Sequence, residues 1–171
     1  MEELLDLLKK RCSVRSFSSR EVEQELIEKI IEAARVAPTA HNNQPQRILV
    51  LKSKEALEKL QKCKQSHFNE QLAFIVCYNK NECSVSEIDN RSSGQIDAAI
   101  VTTHMMLEAE SLGIGSTWIM SFVPKTVIEQ FGLDEFTIPV CVLVMGYKAD
   151  DYQPNARHFI RKDLKDFVKY L

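Results

Sequence analysis

The sequence predicts a layered α/β or α+β sandwich. Helical patterns alternate along the chain with short, strongly apolar segments typical of buried strands, and such elements stack around a shared core. The 171 residues are enough for one domain with a sizeable core, and no repeat, low-complexity tract or linker divides them. We therefore expect a single domain over residues 1–171.

The centre of the chain is a long apolar helical pattern from Gln95 to Leu112, which covers most of the helix circumference. A helix that is apolar nearly all round is a buried one. Gly113 is suited to end it, and Ile114–Met120 is predicted to be a short buried strand. Gly113 and Gly115 either serve this packing or let a flat ligand approach the backbone, and packing is the commoner reason for isolated glycines.

Three helices and two strands are predicted before this centre. In order they span Glu2–Lys10, Ser18 or Ser19 to about Val36, Arg47–Leu51, Ser53 to about Lys62, and Leu72–Tyr78. In the first helix Leu4, Leu5 and Leu8 are expected to face inward. The second helix is expected to begin at a capping box formed by Ser18 and Glu21 and to stop at the proline that follows it.

The remaining predictions concern loops and the end of the chain. Asn79–Gly94 is the most polar segment and is expected to be a mobile loop or lid. A short helix within Pro124–Gly132 and a strand at Ile138–Gly146 follow the centre. The tail from Tyr147 has too little apolar character to pack alone, and residues 163–171 resume only a weak helical pattern. We expect this tail to lie on a second copy of the chain.

Composition and charge limit the possible functions. A net charge of -2 gives no global field that favours nucleic acid or an anionic membrane. No apolar run approaches the ~20 residues of a membrane span, and the acidic start Met1–Asp6 does not resemble a signal peptide. Five cysteines without a C-x-x-C pair indicate free thiols in a reducing compartment. We therefore expect a cytoplasmic protein without a nucleic-acid or membrane partner.

Several common catalytic motifs are missing from the sequence. It contains no P-loop, H-E-x-x-H, G-x-S-x-G or G-x-G-x-x-G pattern. The four histidines are isolated and lack the spacing of metal ligands, so no metal site is expected. Cys12 stands between Arg11 and Arg15, which is compatible with a thiol redox centre and, more commonly, with a buried and inert cysteine.

Two segments carry polar groups suited to binding a ligand. Arg11–Phe17 alternates cations, hydroxyls and apolar residues, and two arginines with two serines can hold a phosphate through charge-assisted hydrogen bonds. Pro38–Gln46 combines two prolines with several amides and one histidine, which suits recognition of a polar heterocycle edge. A solvated basic loop and ordinary turn chemistry are the simpler explanations of the same residues.

Taken together with two later segments, these patterns resemble the FMN-dependent nitroreductase family. The four segments are Arg11–Phe17, Pro38–Pro45, Leu112–Ile119, and Gly146 with the basic tail at Arg161. Their order and spacing across nearly the whole chain are specific. The resemblance implies an α+β, three-layer α/β/α sandwich with a mainly antiparallel mixed sheet. It also implies an intertwined homodimer in which about residues 147–171 cross to the partner and FMN lies at the subunit interface.

The resemblance also implies roles for individual residues around the FMN phosphate and ring. Arg11 and Ser13, with Cys12 between them, would hold the phosphate together with Arg161 from the tail. Arg15 would reach the pyrimidine side of the ring.

The other implied contacts come from later in the chain. Asn69 would hydrogen-bond the ribityl chain or the pyrimidine edge, and the backbone at Met120 and Ser121 would place an amide near the flavin N5. The remaining residues would pack on the ring from the other subunit; they are Pro38, Thr39, Ala40 and Asn42.

Two positions differ from the family pattern. An aromatic residue usually follows the Gln-Pro pair, where this chain has Gln46. A lysine or arginine is common two residues before Arg161, where this chain has Phe159. Arg157 and His158 are the candidates to replace that cation.

The function that the resemblance implies is that of a flavoprotein oxidoreductase. Hydride from NADH or NADPH would pass through bound FMN to a nitroaromatic, a quinone or a similar small oxidant. No catalytic side chain is expected, because the chemistry belongs to the cofactor. Two alternatives keep the flavin: a different reductive reaction, such as dehalogenation or reduction of an activated alkene, or a flavin-binding or regulatory protein without efficient turnover.

Overall fold

The computed structural model describes residues 3–171, so the predicted helix start at Glu2 lies outside the described residues. Helices and strands alternate along this part of the chain. In chain order they are α1 (Leu4–Lys10), α2 (Gln24–Arg35), β1 (Gln46–Leu51), α3 (Lys54–Cys63), β2 (Leu72–Asn79), α4 (Gly94–Ser111), β3 (Gly115–Ile119), α5 (Pro124–Phe131) and β4 (Thr137–Gly146).

The four strands form one sheet in the order β1-β2-β4-β3, and every neighbouring pair is antiparallel. The two central strands are the most apolar, and β2 is buried from Leu72 to Cys77. Ser13 adds a single parallel bridge to Ser116 at the β3 edge. The sheet is therefore mainly antiparallel and mixed at one edge, as predicted.

Helices cover both faces of the sheet. Side chains of a strand alternate between its two faces, and the central strands accordingly feed two apolar cores. Phe74 and Leu143 pack with α2 and α4 on one face, whereas Ile75 and Val142 pack with α3 and α5 on the other. This arrangement confirms the predicted three-layer α/β/α sandwich.

Most predicted elements are confirmed to within one or two residues. α3 begins after Ser53, whose side chain accepts a hydrogen bond from the Ala56 N–H. Pro124 is the first residue of α5, which ends before Gly132 at φ +63°. Gly113, at φ +77°, follows the C-terminal end of α4. These glycines adopt the left-handed conformation that favours glycine at a helix end.

The predicted capping box of α2 is wrong. The helix begins at Gln24, and its N-cap residue Glu23 makes no side-chain cap hydrogen bond. Ser18 lies too early because its N–H donates to the Tyr147 carbonyl at 2.9 Å. The chain therefore continues without helical structure to Val22, which is buried ahead of the helix.

The predicted inward face of α1 is also wrong for a single chain. Leu4, Leu5 and Leu8 are 66%, 58% and 44% exposed, and α1 contains no buried residue. Residues 163–171 form only one short 3-10 turn, at Leu164–Asp166, and each of them is exposed. Within one chain α1 contacts α4, but this contact leaves Leu4, Leu5 and Leu8 uncovered.

Candidate functional site

The segment Arg11–Phe17, which we call the N-terminal strip, crosses the end of the sheet where β3 begins. The Val14 N–H donates to the Ser116 carbonyl at 2.9 Å, and the Thr117 hydroxyl donates to the Val14 carbonyl. The Phe17 N–H donates to the Phe68 carbonyl at 3.1 Å. Hydrogen bonds therefore fix the strip at its middle residue, Val14, and at its last residue, Phe17.

Alternate residues of the N-terminal strip face the core and the outside. Cys12 and Val14 are buried, whereas Arg11 and Ser13 are half-buried and Arg15 is exposed. This alternation follows from the extended backbone, in which successive side chains point to opposite sides. The strip thus presents Arg11, Ser13 and Arg15 on one surface.

Gly115 allows the N-terminal strip to approach β3 closely. A Cβ at this position would lie 2.8 Å from Val14 Cγ2, closer than real side-chain contacts allow. At Gly146 a Cβ would lie 3.2 Å from the Phe17 ring. Of the two explanations offered for Gly115, packing is therefore confirmed, because the strip itself fills the space beside it.

The C-terminal tail runs back along the N-terminal strip. The Ala149 N–H donates to the Ser16 carbonyl at 3.1 Å. Further along, the Tyr152 hydroxyl donates to the Ser13 carbonyl at 3.3 Å and lies 3.2 Å from Cys12 Sγ. The tail beyond Tyr152 is thereby brought next to the polar surface of the strip.

The strip and the tail together form a basic cleft of about 470 Å³. The residues that line it are Arg11, Cys12, Ser13, Arg15, Asn155, Arg157, His158 and Arg161. The lining contains no carboxylate, and within residues 3–171 Arg11, Arg15 and Arg157 form no ion pair. Four guanidinium groups without a counter-charge fit a phosphate group, which guanidinium binds with paired hydrogen bonds.

Five predicted site residues therefore meet in one place, but Asn69 lies outside the basic cleft lining. Its side-chain N–H donates to the Phe17 carbonyl at 3.1 Å, so the amide nitrogen already has a partner. Asn69 is exposed at φ +58°, a conformation that asparagine tolerates better than most residues. Its side-chain oxygen remains the group that a ligand can reach.

Met120 and Ser121 follow β3 at the end opposite the basic cleft. They lie about 13 Å beyond Ser116 at the usual rise of a strand. Both residues are exposed, and within residues 3–171 no acceptor binds the Ser121 N–H. An exposed, unsatisfied N–H is a ready donor for a ligand.

The loop from Pro38 to Asn42 has a strained but well-held backbone. His41 and Asn42 adopt φ +53° and +55°, and Gln44 adopts φ +51°. The Gln44 N–H donates to the Thr39 hydroxyl at 3.0 Å, and the Asn42 N–H donates to the Thr39 carbonyl at 3.0 Å. Such conformations cost about 1–3 kcal/mol each and concentrate at binding sites. The asparagines and the histidine in the sequence were the available signal for this backbone.

The loop and the basic cleft lie at opposite ends of the sheet. The loop leads into β1 at Pro45, beside Asn79, whose partner on β4 is Thr137. The cleft lies beside Ser116, whose partner on β4 is Met145. Thr137 and Met145 are about 26 Å apart along the strand. One flavin-sized ligand therefore cannot contact both regions of a single chain.

Two polar residues beside these regions were not predicted from the sequence. Tyr152 joins the tail to the N-terminal strip, and no local pattern marked it. Asp97 is only 2% exposed and accepts a hydrogen bond from the Ala40 N–H at 2.9 Å. A carboxylate placed directly beside the apolar run Ala98–Val101 was the available signal for it.

The cysteines of the chain are free thiols, as expected. Cys12 is 4% exposed, which confirms the buried alternative and leaves no accessible thiol for a redox centre at this residue. Residues 3–171 contain no group of three or more histidine, cysteine or acidic residues placed to hold a metal ion. In the same residues no helix is both long and apolar enough to cross a membrane.

Comparison with known proteins gives a consistent result. A sequence model described as the Nitroreductase family matches residues 8–73 and 74–147. A relative from Archaeoglobus fulgidus, provisionally designated an NADH dehydrogenase/NAD(P)H nitroreductase, is 32% identical over 158 residues. The match covers 88% of this chain and 88% of the relative.

Solved structures share the fold along the whole chain. A nitroreductase family protein from Clostridium difficile 630 has a TM-score of 0.92 at 38% identity, with 99% of this chain and 98% of that chain covered. A protein from Exiguobacterium sibiricum, provisionally designated a nitroreductase and crystallised in complex with FMN, has a TM-score of 0.86 at 20% identity, with 100% and 98% covered. At that lower identity the likeness is one of fold alone.

Proposed function

The chain belongs to the nitroreductase family, and from this we propose that it is an FMN-dependent oxidoreductase acting between NADH or NADPH and small oxidants. When bound, FMN supplies the chemistry: it accepts a hydride and passes reducing equivalents to a nitroaromatic, a quinone or a similar compound. The observation that carries the proposal is the basic cleft, whose arginines and serine match the phosphate of FMN in charge and donor type.

The basic cleft binds the phosphate end of the cofactor. Arg11 and Arg161 provide guanidinium donors, and Ser13 provides a hydroxyl on the same surface. Arg15, further along the N-terminal strip, reaches the pyrimidine side of the ring. Cys12 contributes through its place in the strip, because its side chain is buried.

The ring end of the cofactor lies toward Met120 and Ser121. The Ser121 N–H has no acceptor within residues 3–171 and would serve as a donor to the flavin N5, where a backbone donor stabilises developing negative charge. Asn69 offers its side-chain oxygen to the ribityl chain or the pyrimidine edge. No side chain is assigned an acid or base role, because these residues only bind and orient the cofactor.

The site is completed by a second copy of the chain. The loop residues Pro38, Thr39, Ala40 and Asn42 lie at the end of the sheet opposite the basic cleft of their own chain, and the β4 residues beside the two regions are about 26 Å apart. These loop residues pack on the flavin ring only if they come from the partner of a homodimer. Each dimer then holds two equivalent sites, and each site takes its cleft from one protomer and its loop from the other.

Uncovered apolar surfaces support the same dimer. α4 was predicted to be buried all round, but one of its faces is open, and Ile96 on that face is 59% exposed beside Ala99 and Ile100. The tail residues Phe159 and Phe167 are 71% and 67% exposed. A partner that receives the tail and covers α4 and α1 removes these surfaces from water, which drives association.

Two broader features belong to the proposal. The whole chain, residues 1–171, acts as one FMN-binding domain whose tail from about residue 147 crosses to the partner. Five free cysteines favour a reducing, cytoplasmic setting.

The proposal is tested by the visible absorption spectrum of the purified protein, recorded before and after anaerobic addition of NADH and then NADPH. We expect a flavin spectrum that bleaches with at least one donor and recovers with a nitroaromatic or a quinone. A protein that stays colourless after reconstitution with FMN would overturn the cofactor assignment. A bound flavin that neither donor reduces would instead identify a flavin-binding protein without this turnover.

A further inference from the structure

Asp97 is a buried carboxylate that the proposed chemistry does not use. It lies in the first turn of α4, where a negative side chain is favoured by the helix dipole. One carboxylate oxygen accepts the Ala40 N–H at 2.9 Å, and the other accepts the Ser93 hydroxyl at 2.6 Å. Asp97 thus joins α4 to the loop that precedes β1.

Ser93 extends this connection into the polar segment 80–93. Its hydroxyl accepts the Ser84 N–H at 3.0 Å, and its own N–H donates to the Ser84 carbonyl at 2.8 Å. The Ser84 hydroxyl lies 3.1 Å from His41 Nδ1, which returns the network to the loop. The result is a closed ring of hydrogen bonds through Ala40, Asp97, Ser93, Ser84 and His41.

This ring of hydrogen bonds has a different role from the hydrogen bonds inside the loop. Thr39 accepts bonds from Asn42 and Gln44 and so sets the shape of the loop. The bond from Ala40 to Asp97 instead sets where the loop stands relative to α4. The ring also borders an open cleft of about 900 Å³, which lies between His41 and the residues around Ser84 and Ile96.

We propose that Asp97 is a positioning residue for the flavin site of the partner subunit. It holds the loop Pro38–Asn42 against α4 and couples the loop to the base of segment 80–93. The loop that packs on the flavin and the wall of the open cleft beside Ser84 therefore keep one arrangement. The inference rests on the proposed function, in which this loop packs on the flavin held by the basic cleft of the other protomer.

The first test compares Asp97→Ala with Asp97→Asn and with a control, Asp89→Ala. Asp97→Ala should weaken FMN binding only slightly, because the phosphate contacts in the basic cleft remain, and should lower the rate of reduction of the bound flavin about tenfold or more, because small misplacements near a reacting ring are costly. Asp97→Asn should lower the rate of flavin reduction less, since its amide oxygen still accepts the Ala40 N–H. Asp89 pairs with Arg91 inside segment 80–93, so its removal should change neither quantity.

A heterodimer separates positioning in the partner site from a structural role within one chain. One protomer carries Arg11→Ala, which removes its own cleft, and the other carries Asp97→Ala. If Asp97 acts across the interface, both defects fall on the same site, and the second site is intact. We therefore expect the heterodimer to recover turnover at one site per dimer, whereas both parent homodimers remain impaired.

The outcomes that overturn the inference are distinct from those that overturn the proposed function. A heterodimer without recovered turnover, or an Asp97→Ala dimer that reduces its flavin at the wild-type rate, contradicts the role of Asp97. Unchanged FMN binding in Arg11→Ala contradicts the phosphate assignment instead. If Asp97→Ala fails to form dimers, the same heterodimer made with Asp97→Asn gives the answer.

Discussion

The hydroxyl of Tyr152 donates a hydrogen bond to the carbonyl oxygen of Ser13 at 3.3 Å, which joins the C-terminal tail to the N-terminal strip. The same hydroxyl lies 3.2 Å from Cys12 Sγ. Burial, reinforced by the contact with Cys12, raises the pKa of Tyr152 far above its ordinary value. The hydroxyl therefore stays protonated and remains a donor across the physiological pH range.

Replacing Tyr152 with Phe tests this connection, because it removes the hydroxyl and keeps the ring. The Ser13 carbonyl then loses a partner, and the free energy of unfolding should fall by about 0.5–1.5 kcal/mol. FMN binding should weaken by up to about tenfold, since Ser13 and the tail are less firmly placed. Urea unfolding and fluorescence titration of the apoprotein with FMN measure both effects. Unchanged values in both experiments would show that the bond does not hold the basic cleft together.

The elements of the fold were predictable because local patterns determine them. The continuous apolar run of β2 marks a strand buried on both faces, and Gly113 and Gly132 mark the ends of α4 and α5. Periodicity also showed that α1 and α4 carry apolar faces. It could not show that these faces stay exposed in a single chain, because periodicity contains no information about which molecule supplies the packing surface.

Long-range polar contacts explain the rest of what the sequence did not predict. Tyr152 and Ser13 are 139 residues apart, and Ala40 and Asp97 are 57 apart. No local spacing encodes such pairs. The arginines and serines of the N-terminal strip themselves indicated a phosphate site, and the family resemblance added Arg161 from the tail. The placement of the Pro38–Asn42 loop at the opposite end of the sheet emerges only from strand register.

Arg157 is the second phosphate ligand that we predict from the tail. The Asn155 side chain accepts the Arg157 N–H at 2.9 Å and so starts the short turn that places Arg157 in the basic cleft. Phe159, at the position where the family pattern has a cation, is 71% exposed and lies outside the lining. Arg157→Ala should weaken FMN binding about tenfold, the effect of one charge-assisted hydrogen bond of about 1.5–3 kcal/mol after partial screening.

The measurement for Arg157 compares FMN with riboflavin, which lacks the phosphate. Arg157→Ala should lower the affinity for FMN and leave the affinity for riboflavin unchanged. Lys162→Ala removes the same charge from an exposed tail residue outside the cleft lining and serves as the matched control. An equal loss for both flavins would assign Arg157 a general effect on the tail and not a phosphate contact.

The ion pair between Lys64 and Glu70 should be the most costly polar contact to break. Its atoms are 2.6 Å apart, and the two side chains are 0% and 3% exposed. Desolvation alone would raise the pKa of Glu70, but hydrogen bonds from Lys64 and backbone amides outweigh it and hold the pKa below its usual value. Glu70→Gln leaves the Lys64 charge buried without its partner and should lower the free energy of unfolding by about 3–5 kcal/mol.

Two comparison variants make the ion-pair prediction specific. Asp6→Asn removes a surface pair, in which Lys9 lies 3.8 Å away, and should cost less than about 1 kcal/mol. The double variant Lys64→Met with Glu70→Leu removes both charges and should recover most of the stability lost in Glu70→Gln. Urea unfolding at neutral pH measures all three. A loss in Glu70→Gln no larger than that in Asp6→Asn would contradict the prediction.

Two buried thiols should make the fold less stable in alkaline solution. Burial raises the pKa of Cys77 to about 12, with a contribution from Cys141, and burial raises the pKa of Cys141 to about 11. An unfolded thiol has a pKa of about 8.5, so above that pH the unfolded chain releases protons that the folded chain retains. The free energy of unfolding should therefore be fully retained below about pH 8 and fall above pH 9, by up to about 1.4 kcal/mol per pH unit for each thiol. Urea unfolding between pH 7.5 and about 10.5 should give a shallower slope for Cys77→Ala than for the wild-type protein. Equal slopes for the two proteins would show that Cys77 ionises as readily in the folded chain as in the unfolded one, and would contradict the prediction.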